Sequence, residues 1–351
     1  MAEAVAVVAV AVEAVVDAVE PIRRTDPDRH RHPWKDRPRK DPAVHDLDDT
    51  MIRSLARRSL LAALALLLPL GCQPAADPAP KSFATPEAAT EALFDALERN
   101  DQEAVLTIFG SEHADSLVTP DWDANLESRL TIAREGRAQH ELETLEDGTL
   151  QLLVGSKEWP FPMLIVPDDD AWRFDTAGGI QELVDRRIGE NELTAIEILD
   201  AYVDAQIEYA TEDRDGDGML EYARKLASTP GEQDGLYWES ADGAPQSPFG
   251  PLVVRAESFL ATRKPDDPIR GYYFEILSGQ GSNAPGGDRG YTIDGEMRTG
   301  FALVAYPADY GNTGIMTFIV SHRGKIHQQD LGAFTGMDAY DPDDGWSLVD
   351  E

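Results

Sequence analysis

Cysteine is almost absent from this sequence, and its scarcity excludes several kinds of site. The 351-residue chain contains one cysteine, Cys72. One thiol cannot form an internal disulfide framework or supply a zinc site built from several thiolates. The meaning of Cys72 therefore depends on the residues that precede it.

Basic residues are also scarce relative to acidic ones. The chain has 31 Lys and Arg against 65 Asp and Glu, a formal net charge of −34. Such a surface repels nucleic acid and anionic lipid headgroups and keeps a protein in solution. We expect no nucleic-acid partner. Attraction to basic partners and a merely solvated acidic surface both remain compatible with this composition.

Recognisable catalytic motifs are lacking. The chain contains no G-x-S-x-G, P-loop or dinucleotide-binding fingerprint, and its histidines do not share one helix at metal-ligand spacing. His322 and His327 flank a short turn, where they would face each other across a hairpin or form an ordinary surface pair. The sequence favours a non-catalytic binding or structural module. Two alternatives stay open: an envelope hydrolase acting through paired carboxylates, and a calcium-stabilised adhesion or sensing module.

The residues before Cys72 form an export signal. A basic segment, residues 53–58, precedes an apolar run, residues 60–70, that is too short for a comfortable membrane span. Residues 51–71 therefore resemble a bacterial lipoprotein signal peptide, which implies acylation of Cys72. Pro69 departs from the motif, which usually has a branched aliphatic residue there. The alternative is a cleaved secretory peptide with an incidental cysteine.

The segments on either side of residues 51–71 predict where the protein is located in the cell. Residues 1–50 do not suit a position ahead of a signal peptide, so they are interpreted as a misassigned start or a disordered extension. Residues 72–82 are a proline- and alanine-rich tether. Gln73 after the cysteine favours the outer membrane, with the protein facing the periplasm. We therefore expect the protein to be held at the membrane by its lipid and to bind another protein of the envelope. The alternative location is that of a secreted or periplasmic protein.

Residues 83–190 are predicted to form a first α+β domain. Thr85 and Pro86 suit a helix start, and Asn100 with Asp101 separates a second helix that ends at Gly110. Strands are predicted at residues 150–154, 159–166 and 172–175, with the acidic turn 168–170 forming a hairpin between the last two. A helix pair followed by an antiparallel sheet is similar to small cystatin-like or NTF2-like folds, a likeness of fold alone.

Residues 191–337 are predicted to form a second α+β domain, a long helix followed by an antiparallel β-meander. The helix, residues 191–210, places Leu193 and Ile207 on its apolar face and Glu192 away from it. Asp294 and Gly295 are a hairpin signal. The acidic residues 338–351 are expected to form a loose tail. The helix and meander together are similar in shape to the globular heads of type II pseudopilins.

An Asp/Gly loop follows the long helix and offers carboxylates for calcium. Asp213, Asp215 and Asp217 alternate along the chain, Gly218 permits a sharp turn, and Glu221 supplies a further carboxylate. The twelfth position of an EF-hand loop would be an arginine here, so a full EF-hand is not expected. The four carboxylates are candidate Ca²⁺ ligands, and the alternative is a hydrated turn that ends the helix.

Five segments carry a resemblance to a known family. They are DRDGDGMLEYA at 213–223, DGLYW at 234–238, GYYFEIL at 271–277, GFALVAYPADYGNTGIMTFIV at 300–320 and KIHQQDLG at 325–332. These segments resemble the bacterial family called domain of unknown function 2950, over most of the chain from about residue 83. The resemblance implies an exported protein and no particular reaction.

Overall fold

A computed structural model of the chain describes residues 79–118, 122–123, 125–214, 216–240, 246–250 and 267–349. The α+β class predicted from the sequence is confirmed, since helices and antiparallel sheets make up the fold. The predicted signal peptide, the predicted tether as far as residue 78 and Cys72 lie outside the described residues, as does Asp215.

Within the described residues, the first half begins with four helices. They are α1 (Pro86–Glu98), α2 (Gln102–Phe109), α3 (Ala114–Leu117) and α4 (Leu126–Ala138). The predicted helix start at Thr85 is confirmed, since its Oγ1 accepts from the N–H of Ala88 at 3.2 Å. The predicted break at Asn100 and Asp101 is also found, and Oδ1 of Asp101 caps α2 by accepting from the N–H of Ala104 at 3.0 Å. Sequence patterns did not indicate α3 or α4. Their apolar stripes are short, and α4 buries an arginine, Arg129.

A five-stranded antiparallel sheet follows these helices. Its strands are β1 (His140–Thr144), β2 (Leu150–Val154), β3 (Trp159–Pro160), β4 (Ile165–Asp168) and β5 (Ala171–Phe174). The order is β1-β2-β4-β5, and β3 pairs with β2. The hairpin between β4 and β5 is confirmed, with Asp169 at a φ of 53° in its turn. The single strand predicted at 159–166 is wrong, because residues 161–164 separate β3 from β4.

The longest helix connects two hydrophobic cores. α5 (Thr176–Tyr209) has 34 residues, so it is about 50 Å long at the usual rise per residue. Leu183 near its beginning belongs to the first core, and residues from Ala195 onward belong to the second. The predicted start at residue 191 is wrong by about four turns, because the helix begins at Thr176. Glycines at 178, 179 and 189 lower the intrinsic helix preference of this stretch, yet packing on both cores supports the helix.

The second core lies around another five-stranded sheet. The strands are β6 (Tyr272–Leu277), β11 (Ala302–Pro307), β12 (Thr317–Ser321), β13 (His327–Gln329) and β14 (Ser347–Leu348), in the order β14-β13-β12-β11-β6. Two short ribbons lie between β6 and β11 in the sequence. One joins β7 (Gly279–Gln280) to β8 (Arg289–Gly290), and the other joins β9 (Thr292–Ile293) to β10 (Glu296–Met297). The Asp294–Gly295 hairpin is confirmed.

Both faces of the second sheet are covered. Tyr202 of α5 makes an edge contact with Phe301 on one face, at a ring-centroid distance of 5.5 Å. On the other face Phe334 stacks on Tyr306, and Tyr340 contacts His327. This double covering explains why the central strands β11 and β12 are almost continuously apolar.

Residues 338–349 are not a loose tail. Tyr340 is 2% exposed and exchanges backbone hydrogen bonds with residues 279–281. Asp341 accepts a hydrogen bond from the backbone N–H of Asn283 at 2.7 Å, and β14 pairs with β13. The acidic composition suggested solvation, but Tyr340 and Trp346 supply apolar anchors that the average charge conceals.

Candidate functional site

The Asp/Gly loop is held by its own carboxylates. Asp213 accepts from the backbone N–H groups of Gly216 at 2.8 Å and Gly218 at 2.9 Å, one with each carboxylate oxygen. Oδ1 of Asp217 accepts from the N–H of Met219 at 2.7 Å. Oδ2 of Asp217 accepts from Nη2 of Arg298 at 2.7 Å, and Glu221 lies 3.9 Å from the same nitrogen.

This loop is docked on the β9–β10 hairpin. The N–H of Tyr222 donates to the carbonyl of Met297 at 2.8 Å, which forms an isolated antiparallel bridge beside β10. Nη1 of Arg224 donates to the carbonyl of Gly295 at 2.6 Å, and its Nη2 lies 3.0 Å from Glu296. The conformation of the loop therefore depends on residues about 80 positions later in the chain.

The proposed calcium ligands are only partly described. Asp213, Asp217 and Glu221 lie on the loop and contact protein groups, whereas Asp215 is outside the described residues. Among the described side chains, no group of three or more His, Cys, Asp or Glu could hold a metal ion. Calcium binding stays a prediction. It would appear as a melting temperature that rises with calcium, falls with chelator and loses this response in Asp217→Ala.

A second feature is the loop between β11 and β12, whose residues include part of the distinctive 300–320 segment. Arg187 of α5 donates to the carbonyl of Asn312 at 3.1 Å and also binds its side-chain oxygen. Asn191 donates to the carbonyl of Thr313 at 2.9 Å. Oε1 of Glu192 accepts from the N–H groups of Ile315 and Met316, each at 3.0 Å.

The predicted orientation of α5 is partly wrong. Glu192 is buried at 8% exposure, although its charge and position suggested a solvent-facing side chain. Leu193 and Ile207 are 56% and 55% exposed, although the helical spacing placed them on the apolar face. The buried face is set by where the β11–β12 loop meets the helix, and periodicity alone does not contain that information.

The rings of Tyr273, Tyr306 and Phe334 contact one another, and we define the aromatic surface as these three side chains together with Tyr310, which lies four residues after Tyr306 in the chain. Tyr306 stacks on Phe334 with ring centroids 4.0 Å apart, and Tyr273 lies 5.5 Å from Tyr306. Tyr310 is 43% exposed, and the other three are half-buried. Of the segment 271–274, only Tyr273 belongs to the aromatic surface.

Acidic groups border the aromatic surface. The hydroxyl of Tyr306 donates to Glu275, and the hydroxyl of Tyr310 donates to Oδ1 of Asp330 at 2.9 Å. Burial raises the pKa of Tyr306 above its usual range, and the hydrogen bond to Glu275 adds to this shift. Tyr306 therefore remains a neutral hydrogen-bond donor throughout the physiological range.

The two histidines flanking the 322–325 turn do not face each other. The register places His327 opposite Ile319, so His322 and His327 lie on opposite faces of the sheet. Nδ1 of His327 is 3.2 Å from the hydroxyl of Tyr340. The predicted facing pair is wrong, because β13 begins too far along the chain to bring the two side chains together.

His322 instead belongs to what we call the basic cluster: Arg289, His322 and Arg323. Nη2 of Arg289 is 3.3 Å from Nε2 of His322, whose ring packs edge-on against Tyr291 and Phe301. Burial lowers the pKa of His322, and the positive charges of Arg289 and Arg323 lower it further. The two arginines lie 34 positions apart in the sequence, and no sequence motif predicted that they would lie on the same part of the surface.

The cavity found in the first half is small and apolar. It has a volume of about 40 Å³, and carboxylates are absent from its described lining. Arg129 and Trp122 lie at its border, with the guanidinium carbon 3.6 Å from the indole centroid. Arg129 also donates to Asn100 at 2.7 Å, so its buried charge is hydrogen-bonded.

Comparison with known proteins agrees with the resemblance seen in the sequence. No curated protein and no solved structure matches the chain, so the likeness to pseudopilin heads and to cystatin-like or NTF2-like folds is not carried further. In the described part of the chain, no helix is both long and apolar enough to cross a membrane. The family described as "Protein of unknown function (DUF2950)" matches residues 80–349. With more than half of its length matched, the chain belongs to the domain of unknown function 2950 family.

Proposed function

We propose that this protein is a non-catalytic module of the bacterial cell envelope, held by a lipid at Cys72, that binds a partner protein. The signal-like segment 51–71 and the tether that follows support the location. The aromatic surface is the observation that carries the binding role. A lipid anchor and a contact surface on the folded part together suit a protein that holds another at the membrane.

The aromatic surface has the composition of a binding site for protein. Tyrosine and other aromatic residues are enriched among the residues that dominate binding energy, because they bury a large area with few rotatable bonds. Tyr310 is largely accessible, and Tyr306 is preorganised by its stack on Phe334. A rigid aromatic group loses little conformational entropy when a partner covers it.

The expected partner has an apolar centre and a basic rim. Glu275 and Asp330 border the aromatic surface, and the whole chain carries a net charge of −34. Lys or Arg side chains on a partner would meet these carboxylates at the rim, where opposite charges accelerate association and favour the correct orientation. An acidic partner would be repelled.

Capture from native envelopes tests the binding role. The full-length protein and its Tyr310→Ala variant are cross-linked in envelopes, and captured proteins are compared by mass spectrometry. We expect one basic partner to be lost, or reduced at least about tenfold, in Tyr310→Ala, which corresponds to about 1.4 kcal/mol of binding free energy. Ile207→Ala is the matched control, since it also removes an exposed apolar side chain. Equal capture by all three proteins would contradict the role of the aromatic surface.

The lipid anchor has an independent test. We expect mass spectrometry of the mature protein to find an acylated Cys72 at its N-terminus, and the protein to fractionate with outer membranes. In Cys72→Ala the protein should move to the soluble fraction or stay as an unprocessed precursor. An unmodified Cys72 in a cleaved protein would instead support the secreted or periplasmic alternative.

A further inference from the structure

The basic cluster lies where two separated segments meet. Arg289 is in β8, which follows a glycine-rich loop at residues 281–288. His322 and Arg323 directly follow β12. The two arginines are exposed and His322 is half-buried, so the guanidinium groups are accessible from solvent. Arg323 also contacts the carbonyl of Pro285 at 3.4 Å, which keeps its side chain beside the loop that leads to Arg289.

Neither arginine has a carboxylate partner in the described ranges. No ion pair within 4.0 Å involves Arg289, His322 or Arg323 there, although the chain has twice as many acidic as basic residues. Several other arginines of the described residues do have carboxylate partners: Arg137, for example, contacts Glu91, Asp95 and Glu98. Two unneutralised guanidinium groups beside a histidine thus form a local positive site on an acidic protein.

The hydrogen bonding of His322 is incomplete as it stands. A guanidinium group only donates, so the contact from Arg289 requires Nε2 of His322 to accept and places the ring proton on Nδ1. Nδ1 is buried and makes no hydrogen bond of ordinary geometry, although the Phe301 carbonyl lies close enough to the ring to favour its protonated form and so raise its pKa. Nδ1 also lies 3.0 Å from where a Cβ on Gly300 would be. A buried donor without an acceptor is unfavourable. An oxyanion beside Arg289 would accept hydrogen bonds from the guanidinium group and from a proton on Nε2 of His322. The ring proton would then lie on Nε2 and not on the buried Nδ1.

We propose that Arg289, His322 and Arg323 form a binding site for the phosphate group of an external ligand. Two guanidinium groups match the charge of a phosphate dianion, and their planar forks bind its oxygens bidentately. The single charge of a carboxylate would leave one arginine unneutralised. The phosphate could belong to a lipid headgroup or to a soluble phosphate ester, which share this chemistry.

Binding is tested with inorganic phosphate on the full-length protein. The ¹⁵N resonances of His322 are followed during titration with phosphate and, separately, with acetate. We expect a saturable shift with phosphate, a proton on Nε2 and a raised pKa of His322. The charged and titratable groups facing His322 are Arg289, Arg323 and Tyr291, and no carboxylate among them competes for this assignment. Equal affinity for acetate would overturn the phosphate assignment.

Variants locate the site. Arg289→Gln and Arg323→Gln should each weaken phosphate binding by at least about tenfold, whereas Arg134→Gln should leave it unchanged. Arg134 is a matched control because it is an exposed arginine in α4 and its loss alters net charge equally. Unchanged melting temperatures would show that the variants fold. Equal loss of binding in all three variants, or no saturable shift in the wild type, would overturn the proposal.

Vesicles distinguish the two sources of phosphate. Vesicles that contain phosphatidic acid, whose headgroup is a phosphate monoester, and phosphatidylcholine vesicles are compared for co-sedimentation with the wild type and with Arg289→Gln. Binding to phosphatidic acid that depends on Arg289 assigns the site to a lipid headgroup. Phosphate binding without vesicle binding assigns it to a soluble ester, and both results support the shared chemistry.

Discussion

Glu192 connects the middle of α5 to the loop that precedes β12. Its carboxylate accepts two backbone N–H groups, those of Ile315 and Met316, and its side chain is largely withdrawn from water. A buried carboxylate is favourable only when hydrogen bonds replace its hydration. Glu192 therefore acts as a structural residue of this family member, fixing the loop against the helix.

Removing this carboxylate should destabilise the fold. In Glu192→Ala two backbone donors lose their acceptor, so we expect a loss of about 2–4 kcal/mol in the free energy of unfolding. Glu192→Gln keeps one acceptor oxygen and should lose less. Urea denaturation measures these differences, with Glu197→Ala as control, because Glu197 is an exposed glutamate of the same helix. Similar losses for Glu192→Ala and Glu197→Ala would show that the loop does not depend on Glu192.

The free energy of unfolding should depend on pH through Asp234, which lies in the DGLYW segment. Burial alone would raise its pKa, but hydrogen bonds from Lys225 and Thr229 outweigh burial and hold the pKa at about 2, from a usual value of 3.8. A depressed pKa means that this stabilisation is present above pH 4 and is lost as the pH falls toward 2. Because Asp234 is one-third exposed, screening reduces its contribution to about 1 kcal/mol.

Urea denaturation at several pH values tests this expectation. Asp234→Asn should remove the carboxylate's contribution near pH 6 and flatten the loss of stability between pH 4 and 2. The variant Asp170→Asn is a control, since Asp170 is an exposed carboxylate in the turn between β4 and β5. A pH profile of Asp234→Asn parallel to that of the wild type would contradict the assignment.

Sequence patterns predicted single residues well only where the interaction is local. The caps at Thr85 and Asp101 and the turn at Asp294 involve neighbours within three positions, so the residue types alone are informative. The burial of Glu192 and the grouping of Arg289 with His322 depend on residues 33 or more positions away. Those contacts exist only after the sheet has formed, and one sequence carries no periodic signal for them.

At the scale of elements, α5 depends on a close approach to the first sheet. Gly179 lies against Met163, and a Cβ placed on it would be 2.9 Å from the Met163 Cα and 2.3 Å from its Cγ. A glycine within a helix normally costs stability relative to alanine, so its presence here has a steric reason. The same glycine lowered the helical signal and hid the first half of α5 from sequence analysis.

Gly179→Ala should therefore destabilise the protein although alanine favours helices. We expect a loss of about 1–3 kcal/mol from overpacking, measured by thermal or urea denaturation. Gly290→Ala serves as the control, because a Cβ there meets nothing within 4 Å. Increased stability in Gly179→Ala would show that the helix can move away from Met163 without cost.

On the scale of the whole molecule, the excess of acidic residues sets the response to salt. A net charge of −34 produces repulsion over the surface, and the Debye length shortens from about 30 Å at 0.01 M to about 8 Å at 0.15 M. We expect the melting temperature to rise by several degrees between low salt and about 0.5 M sodium chloride. A falling melting temperature would mean that exposed ion pairs, such as those of Arg137, outweigh the repulsion.

Residues 338–349 also determine the order in which the two hydrophobic cores can fold. Tyr340 packs against residues 279–281 and His327, and β14 closes one edge of the second sheet. These contacts require residues 340–349, so the second core cannot be completed until those residues have emerged into the compartment where the protein folds. The first core uses residues only up to Leu183 and can form earlier. A chain that has partly emerged would therefore have a folded first core while the strands of the second sheet are still unpaired. Chaperones and proteases have access to those strands during this time.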